Sequence, residues 1–353
     1  MALLWADKYR PKDIGDLDYN VNQLNMLKQM VSTDDFPHLL FVGPDGCGKR
    51  TRMRCLLKEI YGEGIFQMKH IEIPLETAGG KAIKIRAVDS KYHIEVRPSD
   101  LAFHDRMVVQ KVIKDIAGVS ADPLIYKKPF RVVVMEEADL LTFDAQQALR
   151  RTMEKYASTC KLFLCCTSLN KIIEPLISRC MVVRLPAPTA EEAVQVLKTV
   201  AQKEVLNASD GFFELLARQC DRNLRRCLLT LEASVAKFGK NTFFESSKQI
   251  AVPDWRQHIR FLTDKLMTKP DADGVLQSRQ MLYDLINRLM PTNIIFEFLT
   301  IELAKRVNDR EKLALYKAAS KFQHLSLAGD KPLIFIEAFL LNFLADRADL
   351  SAK

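Results

Sequence analysis

Nowhere in its 353 residues does the chain sustain the roughly 18 consecutive apolar positions that a membrane-spanning helix needs. The opening Met1-Ala2-Leu3-Leu4-Trp5-Ala6-Asp7 meets a charge before the apolar segment of a signal peptide could form, so a protein neither secreted nor membrane-embedded is expected. CxxC spacing is missing among the eight cysteines, Cys47, Cys55, Cys160, Cys165, Cys166, Cys180, Cys220 and Cys227, which argues against a zinc site. They read as reduced, mostly buried thiols of an intracellular protein. The six histidines are widely separated and do not form a ligand set. There is no tandem repeat, no low-complexity tract and no basic arm. The net charge of +8 is dispersed, so any contact with a polyanion must come from folded surfaces that collect scattered cations.

What is present is an ordinary globular composition, 48% hydrophobic and 27% charged, over a length that suits two or three domains. In the first half, short apolar runs alternate with helical patterns, the form of a parallel α/β sheet. Leu39 to Val42, Val132 to Met135, Leu162 to Cys166 and Met181 to Val183 suit strands covered on both faces. Asp105 to Ile116 reads as a helix with Val108, Val109, Val112, Ile113 and Ile116 inward. Over residues 71–97, Ile83/Ile85 and Tyr92/Ile94/Val96 alternate with polar residues around Gly79-Gly80, which predicts an inserted β-hairpin. Pro186-Ala187-Pro188 ends this pattern, and Thr189-Ala190-Glu191-Glu192 supplies a capping box. Only helices follow: residues 188–250 read as a small helical domain and 251–353 as a second, with apolar faces such as Leu282, Leu285, Ile286 and Leu289, then Ile334, Ile336, Ala338 and Phe339. The pairs Phe212-Phe213 and Phe243-Phe244 and the set Phe335, Phe339 and Phe343 read as packing.

Gly43-Pro44-Asp45-Gly46-Cys47-Gly48-Lys49 fits G-x-x-x-x-G-K between a strand and a helix, the context in which backbone amides, a helix N-terminus and a lysine converge on phosphate. The Ser or Thr that normally follows, and whose hydroxyl holds magnesium, is replaced by Arg50, with Thr51 one position late. The second strand ends in Met135-Glu136-Glu137-Ala138-Asp139. Glu137 keeps the place of the water-activating carboxylate, while Glu136 replaces the shorter metal-side Asp. Magnesium placement through Thr51 and Glu136 is therefore compromised.

Trp5-Ala6-Asp7-Lys8-Tyr9-Arg10-Pro11, the run Ala148-Leu149-Arg150-Arg151-Thr152-Met153-Glu154-Lys155-Tyr156, Ser178-Arg179-Cys180 and Asn223-Leu224-Arg225-Arg226 occur in order from residue 5 to about 240. Together with the phosphate loop they resemble the small subunits of replication factor C, the eukaryotic sliding-clamp loader of the AAA+ class. The resemblance implies an α/β AAA+ nucleotide-binding domain (1–187), a helical lid (188–250) and an all-helical oligomerisation collar (251–353). It implies ATP or ADP bordered by Ala6, Tyr9, Arg10, Pro11 and Asp18, wrapped by residues 43–51 and reached by Arg225. Thr167 stands where the family's first sensor is Asn, and Arg179 would be an arginine finger acting in a neighbouring subunit's site. Arg106, Lys111, Lys114, Arg150 and Arg151 are candidates for the helices that face duplex DNA. The family also implies four related subunits, a ring-shaped clamp, primer-template DNA and the nucleus. With Arg50, Glu136 and Thr167 off pattern, the expected protein holds nucleotide, hydrolyses it poorly and contributes Arg179 next door. An autonomous hydrolase and an adaptor with a vestigial loop are the alternatives.

Overall fold

Seven strands form one sheet in the order β2-β3-β4-β5-β6-β1-β7. They are β1 (His38–Val42), β2 (Lys69–Glu76), β3 (Ala82–Asp89), β4 (His93–Val96), β5 (Arg131–Met135), β6 (Cys160–Cys166) and β7 (Cys180–Arg184). In this computed structural model residues 3–17, 19–32, 36–76, 82–98, 105–118, 130–268, 270–329 and 331–351 are described. The chain divides into two compact units, Met1–Ala251 and Val252–Lys353.

Strands β4, β5, β6, β1 and β7 run parallel. Their apolar residues alternate between two cores, because successive side chains of a strand point to opposite faces. Leu40, Val133, Met135, Leu162 and Leu164 bury against the helices α4 (Asp105–Gly118) and α5 (Phe143–Lys155). Leu39, Phe41, Val132, Val134 and Phe163 bury with Met53, Leu56, Leu57 and Ile60 of α3 (Lys49–Tyr61). A sheet covered on both faces needs apolar residues at every position, which is why these runs do not alternate in the sequence. The parallel direction brings the ends of β1, β6 and β5 to one edge, carrying the phosphate loop, Thr167 and Glu136-Glu137 respectively.

The 71–97 region differs from its expected form. Strands β2 and β3 are the antiparallel hairpin, and its Gly79-Gly80 turn lies outside the described residues. The Tyr92 to Val96 run is instead a strand of the main sheet, antiparallel to β3 and parallel to β5. Its polar alternation misleads because His93 and Glu95 are themselves buried: the Ser90 hydroxyl lies 2.7 Å from His93 Nδ1, and Glu95 is paired with arginines.

The other α-helices among the described residues of the first unit are a short α1 (Trp5–Lys8), α2 (Val21–Ser32), a one-turn α6 (Glu174–Ile177), then α7 (Ala190–Lys203), α8 (Asp210–Gln219) and α9 (Leu224–Phe238). Thr189 and Glu192 make the reciprocal capping box of α7, with Thr189 Oγ1 accepting from the Glu192 amide at 3.2 Å and Glu192 Oε2 accepting from the Thr189 amide at 2.7 Å. Ser209 and Asn223 cap α8 and α9 from one side only, their side-chain oxygens accepting from the Phe212 and Arg226 amides. Trp5 packs with Leu197, Phe212, Leu216, Leu231 and Phe244 of this layer, while Phe243 is exposed.

The second unit is the five helices α10 (Asp254–Thr268), α11 (Ala272–Asn287), α12 (Thr292–Ala304), α13 (Asp309–Ala328) and α14 (Pro332–Ser351) around Ile259, Leu282, Leu299, Leu315, Ile336 and Phe339. Leu289 and Ile334, expected on apolar faces, are exposed. Leu289 lies beyond the end of α11 at φ +58°, and Ile334 is half a turn away from Ile336. No helix among the described residues is long and apolar enough to cross a membrane.

Candidate nucleotide site

The phosphate loop turns between β1 and α3 with Gly46 and Gly48 in left-handed backbone, at φ +76° and +86°. A side chain there would be strained and would also collide: a Cβ on Gly46 would meet Asn223 Oδ1 at 1.9 Å, and one on Gly48 the Tyr19 hydroxyl at 2.5 Å. Gly48 is the N-cap of α3 and offers no capping side chain. Lys49 Nζ folds back on the loop and donates to the carbonyl oxygens of Gly43 and Pro44, at 2.6 and 3.0 Å. The Cys47 carbonyl accepts from the Tyr19 hydroxyl at 3.1 Å and from the buried Arg52 guanidinium at 3.0 Å, with that guanidinium stacked 4.1 Å from the Tyr19 ring centre.

Beside the loop lies a cleft of about 650 Å³. Among the expected site residues it is lined by Ala6, Tyr9, Arg10, Pro11, Gly46, Gly48, Thr51 and Arg225, with an apolar wall of Val196, Val200, Leu224 and Leu228. Lys8, Arg10, Lys12, Lys203 and Arg225 set five cations around it against the carboxylates of Asp13 and Asp16. Burial lowers the pKa of Arg10, and the nearby charges of Arg54, Arg50 and Arg225 lower it further against the opposing pull of Asp7. An apolar wall, clustered cations and an uncapped helix N-terminus fit a base, a sugar and a phosphate chain. Asp18 lies outside the described residues.

The amino-terminal box is strapped to the helical layer. The Trp5 amide donates to Glu232 Oε2 at 3.0 Å, and Glu204 takes Lys8 Nζ and the Tyr9 hydroxyl at 2.5 Å each and Lys240 Nζ at 2.8 Å. The hydrogen bonds from Lys240, Lys8 and Tyr9 draw the Glu204 carboxyl down to about 2.

Gly43, Pro44, Asp45, Cys47, Lys49, Arg50, Glu136, Glu137 and Thr167 do not line this cleft. Arg50 bonds Glu95 Oε2 at 2.6 Å and contacts Glu136 Oε1 at 2.7 Å; Arg54 holds both oxygens of Glu95 at 2.8 Å, and Arg97 holds Glu136 Oε2 at 2.7 Å. Burial alone would raise the Glu95 carboxyl, but the His93 ring nitrogen 3.6 Å away, the hydrogen bonds from Arg54 and the charges of Arg50 and Arg54 carry it far below the usual carboxylate range. Glu137 sits at φ +55° at the end of β5, a conformation costing a non-glycine residue about 1–3 kcal/mol, with Arg97 Nε 3.5 Å from its carboxylate. The Thr167 hydroxyl and amide both donate to Asp139 Oδ2.

Comparison with known proteins places these features. The chain is 40% identical to "Replication factor C subunit 3" of Bos taurus, covering 97% of this chain and 95% of that protein. It is 39% identical to "Replication factor C subunit 5" of Schizosaccharomyces pombe, covering 97% and 96%. Residues 255–349 match the family "Replication factor C subunit 3, C-terminal domain". The chain belongs to the replication factor C subunit 3/5 family. Residues 195–236 match the "RCF1/5-like, AAA+ ATPase lid domain" and residues 19–189 the "DNA polymerase III, delta subunit" family. A solved point mutant of the Thermotoga maritima protein RuvB shares the fold, at a TM-score of 0.50 and 14% identity over 77% of this chain and 85% of that one. The fold is AAA+, with a nucleotide-binding α/β domain, a lid and an all-helical carboxy-terminal domain.

In this member of the replication factor C subunit family, Arg179 lies in the turn before β7, away from the cleft. It donates from Nε to Glu154 Oε1 at 2.8 Å and from Nη1 to the Pro175 carbonyl at 2.7 Å. Arg106 and Lys114 are exposed on α4, Arg151 is exposed on α5 and Arg150 is half-buried; Lys111 donates to the Pro74 carbonyl on the hairpin. Helices α4 and α5 pack side by side, so these cations share one region. Sequence reasoning missed Lys8, Lys203, Tyr19, Arg52, Arg54, Glu95 and Arg97. One signal was available: Arg50 and Arg54 are four apart and share a helix face, with Arg52 on the opposite one.

Proposed function

We propose that the protein is a nucleotide-holding, poorly hydrolysing subunit of a replication factor C clamp loader that supplies Arg179 to an adjoining subunit's site. The observation that carries this reading is the split between the cleft and the carboxylate end of the sheet. Gly46 and Gly48 of the loop, Ala6, Tyr9, Arg10 and Pro11 of the amino-terminal box and Arg225 line one ligand-sized cavity, while Glu136 and Thr167 face other protein groups. On this reading ATP or ADP lies with its base near Ala6, Tyr9 and Pro11 and its phosphates near Gly46, Gly48, Lys49 and Arg225. Glu137 stands in the general-base position without the amide that a family sensor would offer to an attacking water. Arg179 is held by exposed groups that a phosphate could replace, and a guanidinium beside a phosphoryl group in flight stabilises its charge.

The relatives' names support the clamp-loader assignment; the other loader subunits, the clamp, primer-template DNA and a nuclear location come with it. Arg106, Lys114, Arg150 and Arg151 then serve as sequence-independent phosphate contacts, with Lys111 joining them once released from Pro74. The test is Arg179→Ala in the reconstituted loader. Assembly by gel filtration stays intact and DNA-stimulated ATP turnover falls several-fold; unchanged turnover removes the finger.

A further inference from the structure

The carboxylates at the end of the sheet are already saturated with positive charge from the protein. In a hydrolytic phosphate-loop site a hydroxyl after the loop lysine and a carboxylate on the neighbouring strand hold magnesium between them. At position 50 the chain instead places a guanidinium whose Nε is 2.7 Å from Glu136 Oε1. The second Glu136 oxygen is taken by Arg97, which also reaches Glu137, and both Glu95 oxygens are taken by Arg54, with Arg50 sharing one of them. Three guanidinium groups thus face three carboxylates. Thr51, the displaced hydroxyl, does not repair the metal site: it lines the cleft, whereas Glu136 does not. A dication at the usual place would have to part Arg50 from Glu136 and then sit among three cations in a half-buried setting, where charge repulsion is weakly screened. The residues present do not fit magnesium.

We propose that this chain takes its nucleotide without a divalent cation, because Arg50 and Arg97 already occupy the Glu136 oxygens that would otherwise hold magnesium. The proposal rests on the reading of the cleft as a nucleotide site and deepens it. Arg50 is the second residue of α3, directly after Lys49, and the buried Glu95 and half-buried Glu136 hold its guanidinium on the carboxylates, outside the lining of the cleft, before any ligand arrives. Magnesium-bound nucleotide would have to shed its metal to enter, which makes the bare nucleotide the preferred ligand.

The experiment measures binding of mant-ADP and mant-ATP to the full-length chain by fluorescence anisotropy, in excess magnesium chloride and in excess EDTA. Affinity in EDTA is expected to equal or exceed that in magnesium, within about twofold where it does not exceed it. Weakening of about tenfold or more on chelation overturns the proposal while leaving the nucleotide site standing. Binding in neither buffer removes the nucleotide reading itself and this proposal with it. Arg50→Ser, which restores the hydroxyl, is the second arm, checked for native fold by circular dichroism. It should bind more weakly in EDTA than in magnesium. A folded Arg50→Ser protein as indifferent to magnesium as the parent would show that Arg50 is not what keeps the metal out and would overturn the proposal.

Discussion

Arg50 and Arg179 each hold a carboxylate, yet they sit in opposite kinds of surroundings. The partners of Arg50 are Glu95, 3% exposed, and Glu136, 14% exposed; Glu154, the partner of Arg179, is 49% exposed. A carboxylate removed from water cannot exchange its arginine for solvent, so the Arg50 pairs are permanent struts between α3, β4 and β5. An exposed pair exchanges its partner for water or phosphate at a cost of about 0–1 kcal/mol, so the Arg179 pair is a releasable latch. One chemical pairing thus serves two purposes, and burial decides which.

The sharpest way to break this contrast is Glu95→Gln, which keeps the shape and removes the charge. Breaking a buried pair from one side costs about 3–5 kcal/mol, and the partial exposure of Arg50 and Arg54 places this case near the lower end. Urea unfolding should therefore show a loss of about 3 kcal/mol; a loss under about 1 kcal/mol would place Glu95 with the latches.

A second test extends the contrast to a buried group with no ion-pair partner among the described residues. His38 Nδ1 accepts from the Leu162 amide at 3.0 Å, and burial, helped by the charge of Lys161, brings its pKa down to about 4 from 6.5. The unfolded chain binds this proton first as pH falls. The His38 contribution is therefore complete above pH 6.5, is lost as pH falls from 6.5 toward 4, and changes no further below that. The loss is about 3 kcal/mol, visible in the pH dependence of urea unfolding. His38→Gln, which keeps an acceptor, should flatten this part of the profile; an unchanged slope would assign the effect to another group.

The smallest effect is expected at Glu154→Gln. Thermal stability should change by less than about 1 kcal/mol, because Arg179 then turns to water and to the Pro175 carbonyl. A loss above about 2 kcal/mol would make the pair structural and Arg179 too firmly held to act outside its own chain.

Much of this was legible in local spacing. Gly43 to Lys49 between a strand and a helix, the Thr189–Glu192 box and the apolar runs of β1, β5, β6 and β7 depend on neighbours a few residues apart, and the structure places them as the pattern says. Strand β4 was harder, since Glu95 and His93 look like solvent-facing residues until their partners are known. Arg54 and Arg50 lie 41 and 45 residues from Glu95, and Tyr19 and Arg52 close on Cys47 from different elements. No window of sequence contains both halves of those contacts. Lys8 and Lys203, at the mouth of the cleft, are likewise surface charges until the fold brings α1 and α7 together.

The order of strands and helices, the phosphate loop and the substitutions at Arg50, Glu136 and Thr167 are properties of the chain, because backbone propensity, capping and glycine freedom act within a few residues. That those substituted residues are bound to protein groups, Arg50 to Glu136 and Thr167 to Asp139, was decided only in three dimensions. Charge pairing and desolvation depend on distance through space, and the sheet sets that distance by placing β4, β5 and β6 side by side.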